Sequence, residues 1–196
     1  SYARSKGRAE AAIQSLHPDA VILRPSIIFG PEDSFFNKFA SMARRMPALP
    51  LIGGGKTRLQ PVYVEDVAEV VGRSVDGTLE RGRTYELGGA EIMTFRDCLE
   101  TVMRVTNRDR KLVSLPFGIA STIGKIASLV PLIAPPITAD QVELLKTDNV
   151  VSDAAAREGR TLAGLGIRPV IASSILATYL VHFRPHGQFT NSGKAA

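Results

Sequence analysis

Ala20-Val21-Ile22-Leu23-Arg24-Pro25-Ser26-Ile27-Ile28-Phe29-Gly30-Pro31 is the stretch on which the fold turns. Val21, Ile22 and Leu23 form a short apolar, β-branched run, the composition of a buried strand. Pro25 and the Gly30-Pro31 pair bracket its exit loop. Upstream, Ala9, Ala12, Ile13 and Leu16 fit an amphipathic helix, which should end before Pro18 because the residue preceding a proline is pushed out of the helical region. Downstream, Phe35, Phe36, Phe39, Met42 and Ala43 recur at helical spacing over 34–46. Residues 47–57 read as a loop, with Pro47, Pro50 and Gly53-Gly54-Gly55. Pro61-Val62-Tyr63-Val64 is a short strand, and Glu65 and Asp66 open the helix that follows it.

The pattern then repeats. A strand is expected over 83–87, and Thr94 should cap a helix over 95–106. A strand at 113–115 and an apolar helix over 117–129 follow. Thr138 should cap 139–145, Ser152 or Asp153 a short helix near Arg157, and 171–184 is a last amphipathic helix before a polar tail from 187 on. Strands alternating with helices predict an α/β architecture.

Composition narrows the function classes. The 196 residues carry 24 Lys+Arg against 19 Asp+Glu, a net charge of +5, with 44% hydrophobic residues. That apolar content excludes a disordered chain, and the single cysteine, Cys98, excludes a disulfide scaffold. A +5 excess reads as a solvated surface. The basic cluster at 107–111 lacks interleaved aromatics, so no nucleic-acid partner is expected. No metal site is expected either: Pro185 ends the helix between His182 and His186, and Cys98 reads as a small buried residue. Gly53-Gly54-Gly55-Lys56-Thr57 imitates the end of a phosphate-binding loop, but Pro50 stands where that motif needs its first glycine, so a plain turn is expected.

Tyr2 and Lys6 sit four apart and share a helix face. An ammonium beside a phenol favours the phenolate, which makes a tyrosine usable as an acid or base near neutral pH. The chain opens directly in this helix and reads as beginning inside a longer protein, of which it would be about the later 60%.

The order Tyr2-x-x-x-Lys6, then Leu23-Arg24-Pro25 with Phe29-Gly30-Pro31, then Val62-Tyr63-Val64-Glu65-Asp66-Val67-Ala68, resembles the extended short-chain dehydrogenase/reductase superfamily (the NAD-dependent epimerase/dehydratase group). Glu32 to Ala40, Gln60 to Val64, Pro135 to Leu145 and Asp148-Asn149-Val150-Val151 narrow the resemblance to the atypical branch that includes the NADPH-binding accessory subunit of respiratory complex I. The resemblance implies the C-terminal part of a Rossmann-like doubly wound sheet over 1–80, with a loop and helix insertion at about 31–60. A smaller α/β substrate domain would occupy 81–196. It implies Tyr2 and Lys6 as catalytic and ribose-binding residues, and Pro25, Ser26, Ile27 and Ile28 against the nicotinamide of NAD or NADP. Phe36, Asn37, Arg58 and Gln60 would line the substrate cleft. It also implies that most of the cofactor is held by a glycine-rich N-terminal half, the chain's first expected partner.

Departures qualify the substrate. The sugar-nucleotide enzymes commonly carry Asn where Ile27 stands and Arg where Leu59 stands. Arg58 is one position off, and a one-residue slip in a strand turns a side chain to the opposite face. Three readings follow: an NAD(P)-linked oxidoreductase related to NADH-ubiquinone oxidoreductase, a nucleotide-sugar epimerase or dehydratase, or a non-catalytic NADPH-holding subunit. The run 115–137 holds one charge, Lys125, and its prolines argue against a straight membrane span. It reads as an apolar face toward complex I or a membrane surface, in a protein that is cytoplasmic or peripheral at the inner membrane, on the matrix side in a eukaryote.

Overall fold

The computed structural model describes residues 2–127 and 138–186, with the side chains of 2, 3 and 125–127 outside the description. Helix α1 (Tyr2–Leu16) ends where Pro18 requires, and His17 N–H closes it on Ile13 O at 2.7 Å. Strand β1 (Ile22–Pro25) and the two-residue β2 (Ile28–Phe29) follow. Helix α2 (Phe36–Arg45) turns Phe36, Phe39, Ala40 and Ala43 inward. The segment expected as a loop at 47–57 instead contains strand β3 (Ala48–Ile52). Pro50 is tolerated there because β3 has one described neighbour strand, which leaves one backbone edge with no ladder bond to lose. The three glycines after it form a tight turn with φ of 58°, 71° and 73°, the left-handed region that glycine alone enters without cost.

Strands β4 (Arg58–Leu59) and β5 (Val62–Tyr63) lead straight into α3 (Val64–Val75). Then come β6 (Thr84–Leu87), the short β7 (Met93–Thr94) and α4 (Phe95–Thr106). A capping box opens α4: Asp97 N–H donates to Thr94 Oγ1 and Thr94 N–H donates to Asp97 Oδ2, which satisfies two otherwise orphaned donors. Strand β8 (Lys111–Leu115) precedes α5 (Phe117–Ala127), α6 (Ala139–Leu144), α7 (Asp153–Arg157) and α8 (Ala172–Tyr179). Thr138 caps α6 and Ser152 caps α7, as expected. The last helix is shorter than 171–184, because residues 180–183 tighten into a 3₁₀ turn.

Three ladders are parallel (β1 with β6, β2 with β5, β3 with β8), and β4 pairs with β7 antiparallel. The described strands pair two by two, so the α/β class holds as parallel ladders flanked by helices. Two cores result, and they interleave along the chain. One gathers Phe36, Phe39, Leu49, Leu51, Phe95, Leu99 and Leu176 from α2, β3, α4 and α8. The other gathers Val62, Val70, Tyr85, Leu87, Leu162 and Ile167 around β5, α3 and β6. Each buried phenylalanine or leucine contributes about 1.5–3 kcal/mol by leaving water. The helix-spaced residues of α1 are not part of either core: Ile13 is 45% and Leu16 75% exposed.

Candidate functional site

The exit of β1 forms one wall of a cleft of about 630 Å³. Backbone pairing fixes that wall. Ser26 N–H donates to Leu87 O at 2.9 Å, and Val62 N–H donates to Ile27 O at 2.9 Å. Gly30 must lack a side chain, since a Cβ there would stand 2.7 Å from Val64 Cγ1 at the start of α3. Pro25, Ser26, Ile27 and Ile28 all line the cleft. Ile28 is 39% exposed and presents apolar surface to it.

The opposite wall comes from α2 and from residues 141–149. Asp33 sets the start of α2: its Oδ1 accepts from Phe35 N at 2.9 Å and Phe36 N at 2.5 Å. Its other oxygen accepts a hydrogen bond from Tyr179 Oη at 2.5 Å, which ties α8 to the helix start. Burial and the neighbouring carboxylate drive the Tyr179 phenol far above its ordinary value, so it is a fixed donor. Phe35, Lys38 and Phe39 then face the cleft. Lys38 Nζ donates to Gln141 Oε1 at 2.9 Å, and burial lowers its pKa.

The 141–151 segment is strapped across the site. Ser26 Oγ donates to Asn149 O at 2.8 Å and accepts from Gln60 N at 3.3 Å. Thr57 Oγ1 donates to Leu145 O. Arg58 grips Asp148 twice, through its backbone N and its Nε, both at 2.8 Å. The Arg58 backbone donor and then its guanidinium hold the Asp148 carboxyl below its ordinary range.

The four residues expected in the substrate cleft stand beside it. Phe36 is fully buried in the core. The Asn37 amide donates to Pro31 O and Asp33 O, each at 3.1 Å. Arg58 is spent on Asp148, and Gln60 bridges Gly89 O and Val151 N behind the wall. Their neighbours Phe35, Lys38 and Leu59 face the cleft instead. The difference is one of phase: Asp33 fixes where α2 begins, and β4 alternates sides residue by residue. Lys38, missed in the sequence, is recognisable as the lone cation inside the apolar run from Phe35 to Met42. Lys6 lies on an exposed stretch of α1 and does not line the cleft, and the side chain of Tyr2 falls outside the described residues. Helix α1 is held to β1 by a bifurcated Arg24–Glu10 ion pair.

Cys98 is buried, as expected, and burial pushes its thiol up to about 12. His182 Nδ1 lies 2.6 Å from Tyr179 O, with its ring on Phe183. Of the apolar run 115–137, residues 128–137 fall outside the described residues. No helix among the described residues is long and apolar enough to cross a membrane.

Known proteins resemble this chain in sequence and in fold. A mitochondrial "NADH dehydrogenase (ubiquinone) 1 alpha subcomplex subunit 9" of Arabidopsis thaliana is 34% identical over 192 residues, which is 94% of this chain and 47% of that protein. The chain spans about half the length of the curated relatives it matches. A dTDP-4-dehydrorhamnose reductase from Clostridium acetobutylicum superposes with a TM-score of 0.60 at 16% identity, over 91% of this chain and 54% of that one. UDP-glucose 4-epimerase of Thermus thermophilus, solved with NAD, gives 0.57 at 18%, over 92% and 52%. These likenesses establish a Rossmann-like epimerase and reductase fold. Residues 1–121, more than half of the chain, match the family described as the RmlD substrate binding domain, and the chain belongs to that family.

Proposed function

We propose that this chain is the later portion of an NAD(P)-binding, short-chain dehydrogenase/reductase-like protein of the kind that serves respiratory complex I as an accessory subunit. The observation that carries the reading is the wall from Pro25 to Ile28, a backbone-fixed apolar surface opening into a large cleft. Its residues fit a nicotinamide nucleotide as one side of a site. Ile27 and Ile28 offer flat apolar contact, while the Ser26 hydroxyl is already committed to Asn149 and Gln60 and serves to hold the wall. The exposed Ile13 and Leu16 on α1, with Val71 and Val75 on α3, support a preceding segment that covers these helices and holds the rest of the nucleotide.

A bound nicotinamide would supply hydride chemistry. In this reading Lys6, one helical turn from Tyr2, stabilises the Tyr2 phenolate and donates to a ribose hydroxyl, and the Tyr2 oxygen holds or moves the proton at the substrate. Sugar-nucleotide turnover is the less favoured reading, because Arg58 is locked to Asp148 and Ile27 offers no amide. The similarity over 94% of the chain to a complex I subunit favours the accessory role, at the matrix side of the inner membrane in a eukaryote.

The test uses the full-length protein. Reduced nucleotide should bind stoichiometrically, and the protein should comigrate with complex I on native gels. Tyr2→Phe should leave binding intact and abolish any ketone or quinone reduction, whereas a purely nucleotide-holding subunit shows no reduction even as wild type. Absence of both nucleotide binding and comigration overturns the reading.

A further inference from the structure

A second depression lies away from the cleft, on the outer face of the β3–β8 ladder. It encloses about 270 Å³, and among the described residues no polar side chain lines it. Its floor is Ala48, Pro50 and Ile52 paired with Val113 and Leu115. Met42 and Met46 of α2 form one side, and Ala120 and Ile123 of α5 the other. Much of this surface is open to water: Met46 is 38%, Val113 53% and Ile123 47% exposed.

One end of the groove is cationic. Alternate strand residues share a face, so Lys111 stands in line with Val113 and Leu115, opposite Ala48. Arg44 and Arg45 close α2 beside Met46. Arg108 and Arg110 are pinned nearby, the first donating to Phe183 O at 2.7 Å and the second to Ala43 O at 2.8 Å. Among the described residues none of these five cations forms an ion pair, and neither does Asp109 between them. Burial and the like charges of Arg110 and Arg44 hold the Arg108 guanidinium below its ordinary value. A helix C-terminus accounts for Arg44 and Arg45, but not for cations gathered from a separate loop and strand.

We propose that this groove seats the acyl segment of an anionic lipid, with its cationic end at the headgroup phosphate, and so docks the protein on an anionic membrane surface. An aliphatic floor suits an alkyl chain. Among the described lining residues it offers no aromatic ring for a nucleobase to stack on and no polar side chain for a peptide to bond. Clustered Lys and Arg beside an apolar face are the charge pattern that anionic leaflets attract. The proposal goes beyond the nucleotide reading and does not depend on it.

The test is cosedimentation of the full-length protein with vesicles of phosphatidylcholine, with and without about one-third phosphatidylglycerol. Binding should require phosphatidylglycerol. Arg44→Gln, Arg45→Gln and Lys111→Gln together should weaken it by about 100-fold, on the basis of about fivefold per cation. Val113→Asp should weaken it by about tenfold. Should Val113→Asp lower the melting temperature, Val113→Trp reads the same point: vesicles with brominated acyl chains should quench the added fluorescence. Equal binding to both vesicles, no binding, wild-type binding by the triple variant or by Val113→Asp, an unquenched Val113→Trp, or displacement of the vesicles by a short RNA duplex would each overturn the proposal. Nucleotide titration of the same variants should match wild type, which separates failure here from failure at the cleft.

Discussion

The cleft and the outer groove treat polar groups in opposite ways. Around the cleft each named polar side chain has a protein partner: Ser26 with Asn149, Lys38 with Gln141, Arg58 with Asp148, and Gln60 with Gly89 and Val151. Such groups hold a wall in place and leave apolar surface to meet a ligand. At the groove the cations gather beside an aliphatic floor, with no carboxylate partner among the described residues. Paired charge fixes shape, whereas unpaired like charge favours an anion that is not part of the chain. The two regions share the larger core but not their chemistry.

The largest effect should come from a residue of that larger core. Phe95 is fully buried and packs edge-on against Phe35 and Phe39, at 6.2 and 5.4 Å between ring centres. Phe95→Ala should cost about 3–5 kcal/mol in chemical denaturation and loosen the cleft wall as well. A loss below about 1 kcal/mol would mean that the aromatic cluster does not hold α2 against α4.

A smaller effect should separate the regions. Ser26→Ala removes the hydroxyl that joins β1 to Asn149 and should cost about 1–2 kcal/mol. It should also weaken nucleotide binding by the full-length protein while leaving vesicle binding unchanged. Equal loss at both sites would show that the two regions are not independent.

The smallest concerns pH. The folded Asp148 carboxyl lies below its ordinary 3.8, so the fold favours the ionised form. That contribution is in place above 3.8 and fades as pH falls through the lower, folded value. Thermal melts of wild type and Asp148→Asn should therefore differ most near neutrality and converge in acid. A constant gap across pH would contradict the Arg58 contact as its source.

Most of the elements were legible in local pattern. Helix α4 announced itself through Thr94 and its apolar spacing, and β1 through its β-branched run. Strand β3 was not legible, because Pro47, Pro50 and three glycines read as breakers. It exists through pairing with β8, some sixty residues on, and local periodicity carries no trace of such a partner. The wall from Pro25 to Ile28 was found from the motif order. The opposite wall was not, since the Lys38–Gln141 and Arg58–Asp148 contacts that bring 141–149 across the cleft are long-range. The groove was hidden for the same reason: Arg44, Arg110 and Lys111 are scattered in sequence and meet only in the fold. Only its Leu115–Ile123 side was anticipated, as part of an apolar face.

The claim that the β1 exit is one wall of a nucleotide site is tested most directly by titrating the full-length protein and its Ile28→Glu variant with NADPH. Ile28 is 39% exposed, so the substitution should leave the melting temperature nearly unchanged. The account predicts a Kd weakened at least tenfold, or about 1.4 kcal/mol, by a carboxylate set against the bound nucleotide. An unchanged Kd in a folded variant would contradict it.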